Sequence, residues 1–395
     1  MKSVDLYVET VCQQACCGNE APCGDRFLQQ QFPAQGHTVV VLSDGMGHGI
    51  KANLLSTLTA SIFMGMAGAP QSIETTARTV MQTLPVCSVR KISYSTFTLV
   101  DIDHRAGVVH LIEYDNPQAY VFRRGVPFPV TRQAHPYTHP QTGRMQTFYT
   151  SSFRMECGDR VVVVTDGVTQ SGIGREGFDA FGWGRAAVGD FLAGLLERDA
   201  EITPRSMASA VVERAVANDE GIPRDDISCV SIQIRRPWRV MLCSCPPSLS
   251  SDVSALAEEL RAFEGRKIVC GHRLAEQIAT SWGVPLRQQL TSTDPELPPQ
   301  WEIEGLDLVS EGLLTLSKVL EILERYSEIP TGRGAAYHIC ELLLGADRIE
   351  LVIGMRRSNT AEADTEALIL RRKILGAIAR RLEGGFSKQV EVRYL

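Results

Sequence analysis

The first 235 residues alternate between apolar and polar positions in a way that predicts strands and hairpins framing a few helices. Residues 37–42 and 160–165 are near-continuous apolar runs, typical of buried strands, and each leads into an Asp-Gly turn. Helical spacing of apolar residues predicts a helix over 50–66. Its positions expected to face the core are Leu54, Leu55, Leu58, Ile62 and Met66. The other predicted strands cover residues 4–11, 93–103, 108–114, 120–123, 126–130 and 227–234, and the other predicted helices cover 72–84 and 206–218.

The pattern changes at Arg235-Arg236-Pro237-Trp238, and beyond it strands alternate with helices. Alternation of this kind predicts an α/β domain with a mostly parallel sheet. We therefore expect two domains, residues 1–236 and residues 238–395. The predicted strands of the second domain cover 240–243, 267–270, 306–309, 349–353 and 389–394, and its predicted helices cover 251–263, 273–282, 313–325, 335–344 and 365–382.

Composition and charge exclude several classes of protein. Apolar residues make up 44% and charged residues 22%, which excludes disordered and collagen-like chains. Lys and Arg number 40 against 46 Asp and Glu, and no basic run is large enough to suggest a nucleic-acid partner. No window approaches the roughly 18 uninterrupted apolar residues of a membrane span. Because acidic residues stand where a signal peptide needs an apolar core, we expect a cytoplasmic protein without membrane contact.

Cysteine usage bears on metal chemistry. In a cytoplasmic chain, the 11 cysteines are expected to be free thiols. A zinc site is the alternative for the crowded group Cys12, Cys16, Cys17 and Cys23. Their spacing lacks the paired C-x-x-C motifs of structural zinc sites, and no histidine precedes His37, so the sequence disfavours zinc there.

Acidic residues recur where predicted strands begin or end. Asp44-Gly45 and Asp166-Gly167 follow the two buried strands, Asp225-Asp226 opens another strand, and Asp25 lies in a glycine turn. Carboxylates without a matching Cys or His cluster favour hard divalent cations, Mg²⁺ or Mn²⁺. Converging carboxylates repel one another without a cation, and two cations fit better than one. Asp-Gly is also a common turn dipeptide, so these spacings alone are equally compatible with plain turns.

A family resemblance decides between these interpretations. Asp44-Gly45-Met46-Gly47-His48-Gly49 resembles the signature of stage II sporulation protein E-like phosphatases, the bacterial branch of the metal-dependent phosphatases related to protein phosphatase 2C. Three further family blocks follow the family's order: Cys23-Gly24-Asp25, the run from Gly158-Asp159 to Asp166-Gly167, and Asp225-Asp226-Ile227-Ser228. The resemblance covers about residues 1–235. It implies an α+β domain, an antiparallel β-sandwich flanked by helices, with the metals at one edge between the sheets.

The resemblance also implies a role for each matching residue. Asp44 would bridge two Mn²⁺ or Mg²⁺ ions, Gly45 through its carbonyl and Asp25 would hold one, and Asp166 and Asp225 the other. Asp226 is the neighbouring family position. The implied nucleophile is a water activated by the two cations, which attacks a phosphoserine or phosphothreonine.

Two positions depart from the eukaryotic branch of the family. Where that branch carries a general-acid histidine, this chain has Met46, and His48 follows two residues later as a candidate acid or hydrogen-bond donor. Where that branch carries a phosphate-clamping arginine before its first acidic ligand, this chain has only Arg26, after Asp25. The phosphate is therefore expected to be held mainly by the metals.

The predicted function is a Mn²⁺- or Mg²⁺-dependent serine/threonine phosphoprotein phosphatase. In relatives, the substrates include phosphorylated anti-sigma factor antagonists. One alternative is a non-catalytic phosphatase-fold binding module that acts with the C-terminal domain in a signalling complex; another is an enzyme whose chemistry resides in that domain. The helices after Asp44 are expected either to act as a switch on the metal site or to form a rigid pair. The glycine-rich segment 171–184 is expected to be either a flap over the substrate or a plain surface loop.

The second domain carries no recognised nucleotide motif. Ligands of open parallel sheets bind beyond the carboxyl ends of the strands, where Gly271, His272, Arg273 and Glu311 are candidates for an anionic ligand. Cys243 and Cys245 are either redox-sensitive or buried thiols. We expect a regulatory or docking domain that binds a small anion or a partner protein, the alternatives being a structural domain or one that forms a homodimer.

Overall fold

The computed structural model divides the chain into two compact units, Met1–Arg236 and Pro237–Leu395. The structure describes residues 6–19, 21–66, 73–83, 95–138, 143, 145–247, 250–289, 298, 300–325, 332–355, 362–386 and 388–395. Each unit has its own sheets and its own core.

Unit 1 is built from eleven strands and five helices in the described residues. The strands are β1 (Tyr7–Ala15), β2 (Arg26–Phe32), β3 (His37–Gly45), β4 (Ser95–Asp103), β5 (Val108–Tyr114), β6 (Tyr120–Arg123), β7 (Val126–Pro127), β8 (Arg132–Thr138), β9 (Met145–Arg154), β10 (Arg160–Val164) and β11 (Ile227–Arg235). The helices are α1 (Gly49–Met66), α2 (Ile73–Thr83), α3 (Asp166–Thr169), α4 (Arg185–Arg198) and α5 (Pro204–Asn218).

These strands form two antiparallel sheets. One has the order β1-β11-β10-β6-β7 and the other the order β2-β3-β4-β5-β9-β8. Inward-facing residues of both sheets, such as Val40, Val100, Val161 and Ile232, share one buried cluster, so the sheets pack face to face. The outer face of the six-stranded sheet packs against α1 and α2, and that of the five-stranded sheet against α4 and α5. The predicted α+β architecture with antiparallel sheets is confirmed.

Helix α1 faces the sheet with only some of the residues expected, since Ile62 and Met66 pack against the core as predicted. Its buried positions are Ala52, Ser56, Thr59, Ala60 and Phe63. Leu54 is 64% exposed and Leu58 is 45% exposed, so the expectation that they face the core is wrong. Packing is close at the start of α1, since a Cβ at Gly45 would lie 2.0 Å from the carbonyl oxygen of Ala52, so small residues such as Ala52 and Ser56 face the strand there. Phe63 is buried farther along the helix.

Strands β8 and β9 and helix α4 were not expected from the sequence. β9 (MQTFYTSSFR) is rich in polar residues, and β8 lies at the edge of its sheet, so neither shows a clear apolar period. The expected strand at 126–130 is shortened to Val126–Pro127, because proline lacks the N–H that a ladder needs. Residues 4–5, 72, 84, 93 and 94 of the predicted elements lie outside the described residues.

Unit 2 alternates strands and helices along the chain. Its strands are β12 (Arg239–Ser244), β13 (Arg266–Cys270), β14 (Arg287–Gln288), β15 (Trp301–Glu302), β16 (Leu308–Ser310), β17 (Arg348–Ile353) and β18 (Gln389–Tyr394). Its helices are α6 (Ser250–Ala262), α7 (His272–Trp282), α8 (Leu313–Arg325), α9 (Ala335–Gly345) and α10 (Glu362–Phe386).

The sheet of unit 2 is mixed. Five parallel strands follow the order β16-β13-β12-β17-β18, and the short strands β15 and β14 extend it antiparallel at one edge. One face is covered by α8, α9 and α10 and the other by α6 and α7. The first strand, β12, lies in the middle, which is the doubly wound arrangement. None of the helices that the structure describes has both the length and the apolar content needed to cross a membrane.

Candidate metal centre

Four carboxylates meet at one edge of unit 1, two from each sheet. Asp25 directly precedes β2, and Asp44 lies at the end of β3 in the six-stranded sheet. Asp166 follows β10, and Asp225 precedes β11, in the five-stranded sheet. Asp25, Asp166 and Asp225 all lie near enough to Asp44 for their charges to raise its pKa. The structure therefore brings together the four acidic residues that the sequence singled out.

The pKa values of three of these carboxyl groups are raised by burial and by the charges of their neighbours. Burial, reinforced by the charges of Asp25, Asp166 and Asp225, raises the pKa of Asp44 to about 10. Burial is also the main cause that raises the pKa of Asp25 well above its usual range and that of Asp225 to about 6. Asp25 and Asp44, whose pKa values are raised most, carry their charge at neutral pH only when cations offset the burial and the mutual repulsion.

Asp25 is held through one of its two oxygens. Its Oδ2 accepts hydrogen bonds from the Oγ1 of Thr165 at 2.9 Å and from the Oγ of Ser228 at 2.5 Å. Gln14 Nε2 donates to Ser228 Oγ at 2.9 Å and so fixes the second of these donors. Oδ1 of Asp25 is buried and has no hydrogen-bond partner among the described residues. A bound cation would give this buried, unpaired oxygen the partner that it lacks.

Both Asp-Gly motifs require glycine for space. A Cβ at Gly45 would lie 2.0 Å from the carbonyl oxygen of Ala52 in α1, and one at Gly167 would lie 2.2 Å from the carbonyl oxygen of Asp226. Real Cβ contacts shorter than 3.0 Å essentially do not occur. At both positions the backbone therefore packs directly against backbone of another element, at Ala52 and at Asp226. A plain surface turn would not need this close packing.

Asp226 supports the site by holding backbone. Its Oδ1 accepts the N–H of Cys17 and its Oδ2 the N–H of Gly24, each at 2.9 Å. Its own N–H donates to Oδ1 of Asp225 at 2.9 Å. Asp226 thus ties the segment before Asp25 to the start of β11. Sequence reasoning missed this tie because its partners lie more than 200 residues away.

Sequence reasoning also missed Gln170, whose Nε2 donates to Oδ2 of Asp166 at 2.8 Å. Gln170 lies four residues after Asp166, at the end of the single turn α3, so the spacing of one helical turn was the available signal.

The remaining unit 1 candidates lie at the margin of the cluster. His48 is exposed and interacts electrostatically with Asp225. Arg26 is exposed, and its side chain forms no hydrogen bond or ion pair within the described part of the chain. The segment 171–184 is tied down at both ends, since Trp183 N–H donates to the carbonyl of Ser171 at 2.8 Å and Gly172 N–H donates to Asp219 at 2.8 Å.

The candidates in unit 2 are engaged in helix starts and ion pairs. Gly271 caps α7, and His272 Nε2 lies 3.0 Å from a carboxylate oxygen of Glu276. Arg273 is exposed. Glu311 accepts the N–H of Leu314 at the start of α8 and lies 3.7 Å from Arg371.

Two other features of unit 2 bear on the sequence analysis. An open cavity of about 700 Å³ adjoins α7 and is lined in part by His272, Glu276 and Trp301. Cys243 and Cys245 are fully buried, and burial raises the pKa of the Cys243 thiol, which favours buried over redox-sensitive thiols.

Several solved structures are similar to part of this chain. The phosphatase domain of SpoIIE from Bacillus subtilis is 17% identical over 59% of this chain and 94% of that chain, with a TM-score of 0.45. The RsbU and RsbW domains of a Mycobacterium tuberculosis protein are 17% identical over 65% of this chain and 69% of that chain, with a TM-score of 0.45. RsbX in complex with magnesium is 15% identical over 57% of this chain and 95% of that chain, with a TM-score of 0.39.

Sequence comparison gives a clear family. No curated protein sequence matches the chain. The family model for stage II sporulation protein E matches residues 34–235, which include Asp44, Asp166 and Asp225. The chain belongs to the stage II sporulation protein E (SpoIIE) family, of the protein phosphatase 2C type.

Proposed function

We propose that the protein is a Mn²⁺- or Mg²⁺-dependent phosphatase that hydrolyses phosphoserine or phosphothreonine in a protein substrate. The observation that carries the proposal is the convergence of Asp25, Asp44, Asp166 and Asp225 from two sheets. The partnerless, buried Oδ1 of Asp25 supports it, because a plain turn gives no reason to bury an unsatisfied carboxylate oxygen.

The donor set fits two hard cations. Asp44 feels the charges of the other three carboxylates and would serve both ions. Asp25 and the Gly45 carbonyl would hold one, and Asp166 and Asp225 the other. Only oxygen donors are offered, which suits Mg²⁺ and Mn²⁺. When bound, such ions polarise phosphoryl oxygens and lower the pKa of coordinated water.

The chain's own residues position this donor set and leave it accessible. Thr165 and Ser228 fix one oxygen of Asp25, and Gln170 fixes one oxygen of Asp166. Asp44, Asp166 and Asp225 are only partly buried, so a substrate phosphate can approach them from solvent. The hydroxyls of Thr165 and Ser228 are fully buried against Asp25 and out of reach of a substrate, which agrees with water as the attacking group.

The test is phosphate release from p-nitrophenyl phosphate and from a phosphoserine peptide, with Mn²⁺ and after chelation. We expect activity that depends on Mn²⁺ and falls by at least 100-fold in Asp166→Asn. The exposed Asp190 provides a matched control, and Asp190→Asn should keep full activity. Turnover that persists after chelation, or full activity in Asp166→Asn, would refute the proposal. A folded, cation-binding protein without any turnover would favour the non-catalytic binding module.

We further propose that unit 2 regulates the phosphatase or docks a partner, and that anti-sigma factor antagonists are candidate substrates by analogy with relatives. The support for a regulatory unit 2 is its doubly wound sheet with a cavity beside α7. Deleting the chain after Arg236 should change the activity toward a phosphoprotein while leaving p-nitrophenyl phosphate hydrolysis intact, provided that circular dichroism shows a folded product.

A further inference from the structure

Two cysteines and a carboxylate meet beside the acidic cluster. The sulfur atoms of Cys16 and Cys23 and a carboxylate oxygen of Asp226 all lie within 4.8 Å of one another. Cys16 follows β1, Cys23 lies shortly before β2, and Asp226 directly precedes β11. The antiparallel pairing of β1 with β11 brings these distant parts of the chain together.

The carboxylate in this group is buried and carries no salt bridge. Asp226 is 3% exposed. Each of its oxygens accepts one backbone N–H, and the Cys23 thiol lies within hydrogen-bonding reach of the same carboxylate. Among the ion pairs of the described residues, none involves Asp226. A positive charge at this place would therefore meet an uncompensated carboxylate.

The two thiols are available to an ion from solvent. Cys16 and Cys23 are both half-buried, and the ten cysteines in the described residues form no disulfide. Backbone groups at or next to the two cysteines are anchored. Asn53 Nδ2 donates to the carbonyl of Cys23 at 2.6 Å, and Cys17 N–H donates to Asp226. Anchoring holds the three groups together before any ion binds, which lowers the entropic cost of binding.

We propose that Cys16, Cys23 and Asp226 bind one thiophilic divalent cation, of the zinc class, with water in the fourth position. Ligand atoms around a tetrahedral zinc lie about 3.3–3.8 Å apart, given Zn–S near 2.3 Å and Zn–O near 2.0–2.2 Å. The observed span of 4.8 Å requires only a small closure of the side chains. Thiolate donors distinguish this site from the oxygen-only cluster, because soft ligands select zinc over magnesium or manganese.

A disulfide between Cys16 and Cys23 explains less of the structure. It gives no role to the buried carboxylate of Asp226, whereas a cation uses all three groups. Cys16 extends from the five-stranded sheet and Cys23 leads into the six-stranded sheet, so the ion would join the connection between the sheets. This structural role is independent of phosphatase activity.

The test is cobalt spectroscopy of the full-length, reduced protein saturated with Mg²⁺. Co²⁺ bound by thiolate gives a charge-transfer absorption that Co²⁺ bound by oxygen alone does not, so the carboxylate cluster does not contribute to the signal. We expect this absorption to saturate at one equivalent of Co²⁺ and to disappear when one equivalent of Zn²⁺ is added. Cys16→Ser and Cys23→Ser should each lower it by half or more, and Cys157→Ser, at an exposed cysteine, should leave it unchanged.

A second measurement uses the wild-type protein, so that the proposal can be tested even if the cysteine variants do not fold. In the wild-type protein, Zn²⁺ should slow alkylation of Cys16 and Cys23 by iodoacetamide by at least tenfold, and that of Cys157 not at all, as mapped by peptide mass spectrometry. The proposal would be overturned if the wild-type protein gave no thiolate absorption with Co²⁺, or if the absorption persisted in full in a protein carrying both Cys16→Ser and Cys23→Ser. Loss of two thiols to hydrogen peroxide without any cobalt signal would overturn it in favour of a disulfide.

Discussion

Replacing Gly45 by alanine tests the close approach of α1 to the end of β3. The added Cβ would lie 2.0, 2.6 and 2.9 Å from the O, C and Cα atoms of Ala52. These are backbone atoms of a helix, so no flexible side chain can turn aside. To restore an ordinary contact of 3.4 Å, the helix or the strand end must move by about 1.4 Å.

Such a displacement has a cost in stability and a cost in cation binding. Overpacking of this kind destabilises by about 1–3 kcal/mol. For a cooperative unit of this size, that corresponds to a fall in Tm of roughly 2–12 °C. The carbonyl of Gly45 and the carboxylate of Asp44 move with the strand end, and a misplacement of about 1 Å costs on the order of 100-fold in function.

The assay is thermal unfolding with and without Mn²⁺, followed by Mn²⁺ activation of p-nitrophenyl phosphate hydrolysis. Because the proposed Mn²⁺ ligands lie in unit 1, the unfolding transition whose Tm rises when Mn²⁺ is added is assigned to unit 1. Gly65 in α1 is the matched control, because it is exposed and a Cβ there meets nothing within 4 Å. Gly65→Ala should raise stability by about 0.5–1 kcal/mol and leave Mn²⁺ activation unchanged. A Gly45→Ala protein with wild-type Tm and wild-type Mn²⁺ activation would refute the reasoning.

Three further predictions concern the support of the site and the core of unit 1. Ser228→Ala removes a hydrogen bond to Asp25 and should raise the Mn²⁺ concentration needed for half-activation by about 10–100-fold, whereas Ser251→Ala in unit 2 should not change it. Arg132→Met leaves the buried Glu113 without its ion pair at 2.9 Å and should cost about 3 kcal/mol in urea unfolding, whereas Arg124→Met, 81% exposed, should cost less than about 0.5 kcal/mol. Phe63→Ala should cost about 3–5 kcal/mol, and Leu54→Ala, at a 64% exposed position, less than about 1 kcal/mol; equal costs would contradict the observed facing of α1.

The acidic residues could be singled out from the sequence because they lie in local motifs. A buried apolar strand that ends in Asp-Gly places its carboxylate at a sheet edge whatever the rest of the fold does, and Asp44 and Asp166 are of this kind. In unit 2, the alternation of strands and helices predicted the parallel sheet, but β14 and β15 flank a proline-rich stretch and show no periodicity.

Long-range contacts could not be predicted in the same way. The hydrogen bonds of Asp226 to Cys17 and Gly24, and the meeting of Cys16 with Cys23, depend on the pairing of β1 with β11 across more than 200 residues. The prediction that Leu54 and Leu58 of α1 face the core was wrong for a related reason. Apolar spacing predicts a core stripe, but the close approach at Gly45 selects the small residues instead.

The division of the four carboxylates between two sheets has a mechanical consequence. Asp44 lies on one sheet, and Asp166 and Asp225 lie at strand ends of the other, so the distances from Asp44 to these two carboxylates would change if one sheet slid over its neighbour. Asp25 precedes a strand of the first sheet but is hydrogen-bonded to Thr165 and Ser228 of the second. Sliding of packed layers is a recognised mode of conformational change. If the carboxylates hold cations as proposed, a molecule that binds on the outer face of either sheet or its helices would alter cation affinity without touching a ligand. Helices α1 and α5, which pack on opposite sheets, are the surfaces through which such a force would act.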